Sequence, residues 1–267
     1  MNDDLLEIAK DKIADFDISK VPGVWSYLDK RKIIVEMRSR LENPFLVNQG
    51  YQPLCGPATV IFELVRKQPD RYVEICRSLY QIGGFHTQSG KWIFPSNNLR
   101  ESGGELQMPQ VDWMLSATLR EWENLLFPVA PDSPKLMRNI SGITKTWEIV
   151  GWMKEILGYK EIGYNNAYLF GDFPALRVAA QVLDAGGVAF ALVTAKGLLV
   201  DKLPLVPYPT HWIAILGNIK IEEARGDRQT RIQFDCYSWG QKLRIDVDAW
   251  RFKTYFWELV TAPSKLK

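Results

Sequence analysis

The apolar period of this chain changes once, near Gly187, and that change limits the folds open to it. Before it, apolar residues recur at helical spacing: Val24, Leu28, Ile33 and Ile34 within residues 24–41, then Val60, Ile61, Leu64 and Val65 in a helix predicted to begin near Cys55. Gly56 and Pro57 suit the first turn of that helix. The same spacing predicts helices over 3–16, 69–81, 109–126, 144–157 and 174–185, and residues 82–108 read as a long loop. After Gly187 the chain has short β-rich runs separated by turn residues: Val188–Val193, Trp212–Leu216, Arg231–Tyr237, Lys242–Val247 and Tyr255–Val260. Helices first and strands afterwards predict an α+β protein. Its helical N-terminal lobe would cover about 1–185 and its mostly antiparallel β lobe about 186–267, with a site in the cleft between them.

A length of 267 residues and 46% apolar content fit one two-lobed domain with a well-buried core. Lys and Arg total 33 against 31 for Asp and Glu, which gives no electrostatic case for nucleic acid or an anionic membrane as principal partner. The run Lys30-Arg31-Lys32 reads as a solvated helix face, and Trp113, Trp122, Trp147 and Trp152 read as core. The start Met1-Asn2-Asp3-Asp4 is acidic, and no apolar stretch approaches the roughly 18 residues of a membrane span, so the expectation is a soluble, cytoplasmic protein with no signal peptide. Cys55, Cys76 and Cys236 are an odd number without a C-x-x-C pair, which predicts free thiols rather than a disulfide framework or a zinc site. No metal and no organic cofactor is expected.

Cys55 is the thiol placed for chemistry. The segment Gln49-Gly50-Tyr51-Gln52-Pro53-Leu54-Cys55-Gly56-Pro57-Ala58 brings a loop up to a helix start, where the dipole favours a thiolate and backbone N–H groups can hold an oxyanion. A base stands on the later half. Thr210-His211-Trp212-Ile213-Ala214-Ile215-Leu216-Gly217 is a His leading an apolar strand, whereas His86, the other histidine, lies in the loop sequence Gly83-Gly84-Phe85-His86-Thr87. Cys76 falls on the apolar face of its helix and Cys236 alternates against Asp235, so both read as packing residues.

In these pieces the chain resembles the papain-like cysteine peptidases and the related double-glycine bacteriocin-processing peptidases. The family has a Gln six residues before its nucleophile, as Gln49 stands to Cys55, and the double-glycine group follows its Cys much as Gly56-Pro57-Ala58 does here. A His leads an apolar strand in that family, and Ser238-Trp239-Gly240 is similar to its Asn-Ser-Trp-Gly. The resemblance implies a papain-like fold with Cys55 as nucleophile, His211 as base and Gln49 as the side-chain donor of an oxyanion hole. Tyr237 stands where the orienting Asn would be, so the role passes to Asp235, two residues earlier and on the same strand face. Trp239 would shield the His211 contact from water. The implied activity is peptidase cleavage of a protein or peptide amide through a covalent acyl-enzyme. Deamidase, transglutaminase, acyltransferase and peptidoglycan amidase chemistry run on the same Cys-His pair, and a non-catalytic binding module keeps the same fold. Divergent papain-like domains also occur as bacterial toxins or effectors delivered by a secretion system, which adds an inhibitor or immunity protein to the expected partners.

Overall fold

The computed structural model describes residues 3–101, 106–123, 144–167, 172–200 and 202–264. The chain forms two compact units, Met1–Gly158 and Tyr159–Lys267.

The first unit contains α1 (Asp3–Ile18), α2 (Lys30–Glu42), α3 (Cys55–Lys67), α4 (Pro69–Gln81), a hairpin of β1 (Phe85–His86) and β2 (Trp92–Ile93), α5 (Asn97–Glu101), α6 (Gln110–Glu123) and α7 (Thr146–Glu155). Its centre is α3, in which every residue from Cys55 to Val65 is buried and against which α2, α4, α6 and α7 pack. A helix enclosed on all sides needs apolar residues all round, which Val60, Ile61, Phe62, Leu64 and Val65 supply. Glu63, the charged exception, is paired with Arg66 at 3.0 Å.

Three expectations for this unit are corrected. Helix α2 begins at Lys30 rather than at 24, because Asp29 caps it by accepting from the Lys32 N–H and Val24 instead donates its N–H to the Tyr80 carbonyl. The predicted loop over 82–108 contains the β1–β2 hairpin and α5. Two-residue strands carry no period to read, and Glu155 tethers this hairpin by accepting from Thr87, Ser89 and Lys91. Of the tryptophans read as core, Trp113 and Trp152 are fully buried and Trp122 is half-buried, but Trp147 is 66% exposed, with the Lys145 ammonium over its ring.

The second unit is one antiparallel sheet with helices on a face. Its elements are β3 (Gly163–Asn165), α8 (Asp172–Asp184), β4 (Val188–Val193), α9 (Ala195–Leu198), β5 (His211–Glu222), β6 (Arg231–Ser238), β7 (Gln241–Asp248), α10 (Ala249–Tyr255) and β8 (Phe256–Ala262). The strand order is β3-β8-β4-β5-β6-β7. Helix α8 was expected with the helical lobe but packs on β4, β5 and β8, so the division of the chain comes at Gly158 and not near 185. The core under α8 and α10 gathers Leu176, Ala179 and Phe252 with Ala191, Ile213, Ile215, Phe234 and Cys236. Strand β5 runs well past the predicted Leu216. Two register shifts against β6, between Ile215 and Gly217 and between Gly217 and Lys220, each insert one extra residue on β5. The two insertions cancel in side-chain parity, which returns Ile219 and Ile221 to the core face.

Candidate active site

Cys55 is the first residue of α3, and its helix start is built from both sides. On the upstream side, the buried Arg40–Asp112 pair, 2.7 Å, holds the entering loop: Asp112 also accepts the Asn48 N–H at 2.9 Å, and the Asn48 side chain accepts the Gly50 N–H at 2.8 Å. Gly50 has φ +57, and a Cβ there would lie 2.0 Å from the Gln107 carbonyl oxygen, so the turn needs glycine. On the downstream side, a Cβ at Gly56 would lie 2.3 Å from the Thr144 hydroxyl. Thr144 cannot drift, because its hydroxyl accepts from Arg120 at 2.6 Å and Arg120 is itself paired with Glu148 at 2.9 Å in the interior. Within the helix, Thr59 donates to the Cys55 carbonyl at 2.7 Å. Neither the buried ion pairs nor Thr144 carries a signal in the linear pattern; the glycine at 56 was the visible trace of the close approach.

Gln49 lies on the same loop and is buried. Its amide nitrogen donates to the Gln52 carbonyl at 2.8 Å, while the Gln52 N–H donates to the Gln49 carbonyl at 3.1 Å. A primary amide carries two N–H groups, so one of the pair is committed to bracing the loop ahead of Cys55.

In the second unit His211 opens β5, opposite Val193 of β4. It lies on the strand face of Ile213 and Ile215, which is also the face of Cys236 and Ser238 on β6. Its Nε2 is 2.8 Å from the Ser238 hydroxyl, and the Trp239 ring covers it at a centroid separation of 4.8 Å. The β6–β7 hairpin turns through Trp239 (φ +49) and Gly240 (φ +74), flanked by the paired Ser238 and Gln241. Two consecutive positive φ values are those of a type I′ turn, which suits Gly and strains a tryptophan. Burial pulls the His211 pKa down to about 3, which keeps the imidazole neutral.

The role given to Asp235 is corrected by this register. Asp235 stands opposite Gly217 of β5 and Arg244 of β7. That is six positions along β5 from His211, about 20 Å at the rise of a strand, and on the other face of the sheet. Its carboxylate accepts from Asn218 at 2.7 Å and pairs with Lys242 at 2.8 Å and Arg244 at 3.0 Å. Burial works to raise its pKa, but these donors carry it down to about 2. Asp235 and Tyr237 do share a strand face; the imidazole takes the opposite one, and its partner is Ser238. Trp239, expected as a shield of the His211 contact, has its ring against the imidazole.

The remaining candidates fall where packing predicts. Cys76 and Cys236 are fully buried, and burial pushes the Cys76 thiol far up and the Cys236 thiol to about 12. His86 is exposed, with its ring against Trp92. Among the described residues no group of three or more His, Cys, Asp or Glu is arranged to hold a metal ion, and no helix is long and apolar enough to cross a membrane. Gln49 and Cys55 thus share one loop-helix junction of the first unit, while His211, Ser238 and Trp239 share one strand end of the second. No family model and no curated protein matches the sequence.

Proposed function

We propose that this protein is a papain-like cysteine hydrolase acting on protein or peptide amides, with Cys55 as nucleophile and His211 as base. The observation that carries the reading is the position of Cys55 at the first residue of a helix buried from Cys55 to Val65, next to the loop that holds Gln49. The positive end of the helix dipole favours a developing thiolate there, whereas the other two thiols are enclosed in a helix interior and a strand interior. His211 supports the reading through its rigid seat at the start of a strand, with a hydroxyl partner and an aromatic cover.

In this mechanism the Cys55 Sγ bonds to the substrate carbonyl carbon as its proton passes to the imidazole of His211. The electron pair displaced onto the carbonyl oxygen is held by backbone N–H at the helix start and by the Gln49 amide. Collapse breaks the C–N bond, and the imidazolium gives its proton to the leaving amine. Water, deprotonated by the same imidazole, then releases the acyl group and the thiol. Incubation of wild type and Cys55→Ala with labelled casein and a quenched peptide library tests this, with products read by mass spectrometry. New chain ends formed by wild type and lost by at least a thousandfold in Cys55→Ala support it. Cleavage retained in the variant overturns it, and amide-to-acid conversion or cross-links without new ends move the chemistry to deamidation or transfer.

A further inference from the structure

We infer that Ser238 is the positioning residue of the base: its hydroxyl fixes the His211 ring through Nε2, leaves Nδ1 as the working nitrogen, and does so without a charge. The inference rests on the reading of His211 as the base, and it adds the residue that orients it and the protonation state in which it waits.

The geometry behind it has three parts. First, the hydrogen bond is short and dry, with Nε2 2.8 Å from Oγ and Ser238 only 1% exposed. With the proton on Nε2 donated to Oγ, the lone pair is on Nδ1, the arrangement a general base needs. Second, the turn that follows Ser238 places Trp239 in a left-handed conformation and lays its ring over the imidazole. Strain of that kind persists only where the surroundings over-determine it, and here it closes the Ser238–His211 bond against water.

Third, burial alone lowers the His211 pKa, with no charged group among the causes. Val193 faces it from β4, Ser238 and the Trp239–Gly240 turn from β6, and Ile213 follows it on β5. On α8, the guanidinium of Arg177 is paired with Glu223, beyond the far end of β5. Asp235, the carboxylate of β6, is held on the other face by Lys242 and Arg244. A carboxylate orienter would stabilise an imidazolium, and a hydroxyl does so far less. In this inference His211 therefore waits as the neutral imidazole and takes up a proton only during attack.

The test reads the ring itself, by nitrogen-detected NMR of His211 in a His86→Gln background, beside kcat and KM. Wild type is expected to show the Nε2–H tautomer and no protonation above pH 5. Ser238→Ala should mix the tautomers and lower kcat at least tenfold with KM within twofold, and Ser238→Asn should recover most of the loss. Ser238→Asp should raise the His211 pKa by more than one unit and move the acid side of the rate profile with it. An unchanged tautomer in both Ser238→Ala and Ser238→Asn, or an Nδ1–H tautomer in wild type, overturns the inference. Should Cys55→Ala prove fully active while the tautomer responds to Ser238 as described, the hydrolase reading fails and the positioning role stands.

Discussion

Because burial holds His211 neutral down to about pH 3, its titration acts on the fold as well as on the chemistry. The unfolded chain takes up this proton near pH 6.5 and the folded chain does not, so the contribution is complete above about pH 6.5 and falls away between there and pH 3. The slope reaches about 1.4 kcal/mol per pH unit. Denaturant melts of wild type and His211→Gln between pH 4 and 6.5 should differ by that slope; parallel curves would mean that the imidazole protonates freely in the fold. Asp235 titrates in a lower window, since its folded pKa of about 2 is depressed and its contribution, complete above about pH 4, is lost only as pH falls toward 2. Asp235→Ala should therefore destabilise the fold by about 1–3 kcal/mol at pH 7, through loss of its three donors, and leave kcat within twofold. A large fall in kcat at unchanged stability would return the carboxylate to the catalytic machinery. The sequence shows which residues of β6 share a face, but the face taken by the imidazole depends on the β5–β6 register, in which Ile215 stands opposite Cys236, and that pairing leaves no mark in the apolar pattern.

At the scale of elements, the long periodic segments were readable because their burial is complete enough to impose a period. Helix α4 spans the predicted 69–81, and the strands β4 and β6 match their predicted starts. What escaped was structure held by side chains rather than by pattern: the Asp29 cap of α2, the Glu155-tethered hairpin, and the Arg120–Glu148 pair that fixes Thr144 against Gly56. The last of these bears on the candidate nucleophile. Gly56→Ala would place a methyl 2.3 Å from an oxygen that Arg120 holds in place, so the start of α3 must move. The expected cost is about 1–3 kcal/mol of stability, with kcat falling more than KM changes. Wild-type melting and turnover in Gly56→Ala would show that the contact yields and does not position Cys55.

For the whole molecule, the helical half and the antiparallel sheet of an α+β protein followed from the single change of period, while their boundary did not. Helix α8 has the same spacing as the helices of the first unit, and only its packing on β4, β5 and β8 assigns it to the second. The chemistry proposed for the chain draws one group from each unit, Cys55 from the first and His211 from the second. The alkylation rate of Cys55 by iodoacetamide tests that pairing most directly, followed by peptide mass with Cys76 and Cys236 as internal references. The account predicts that near pH 7 Cys55 is modified at least tenfold faster than the other two, and that His211→Ala removes most of that advantage while leaving the melting temperature within a few degrees. A Cys55 no faster than Cys76 and Cys236, or one indifferent to His211→Ala, would contradict it.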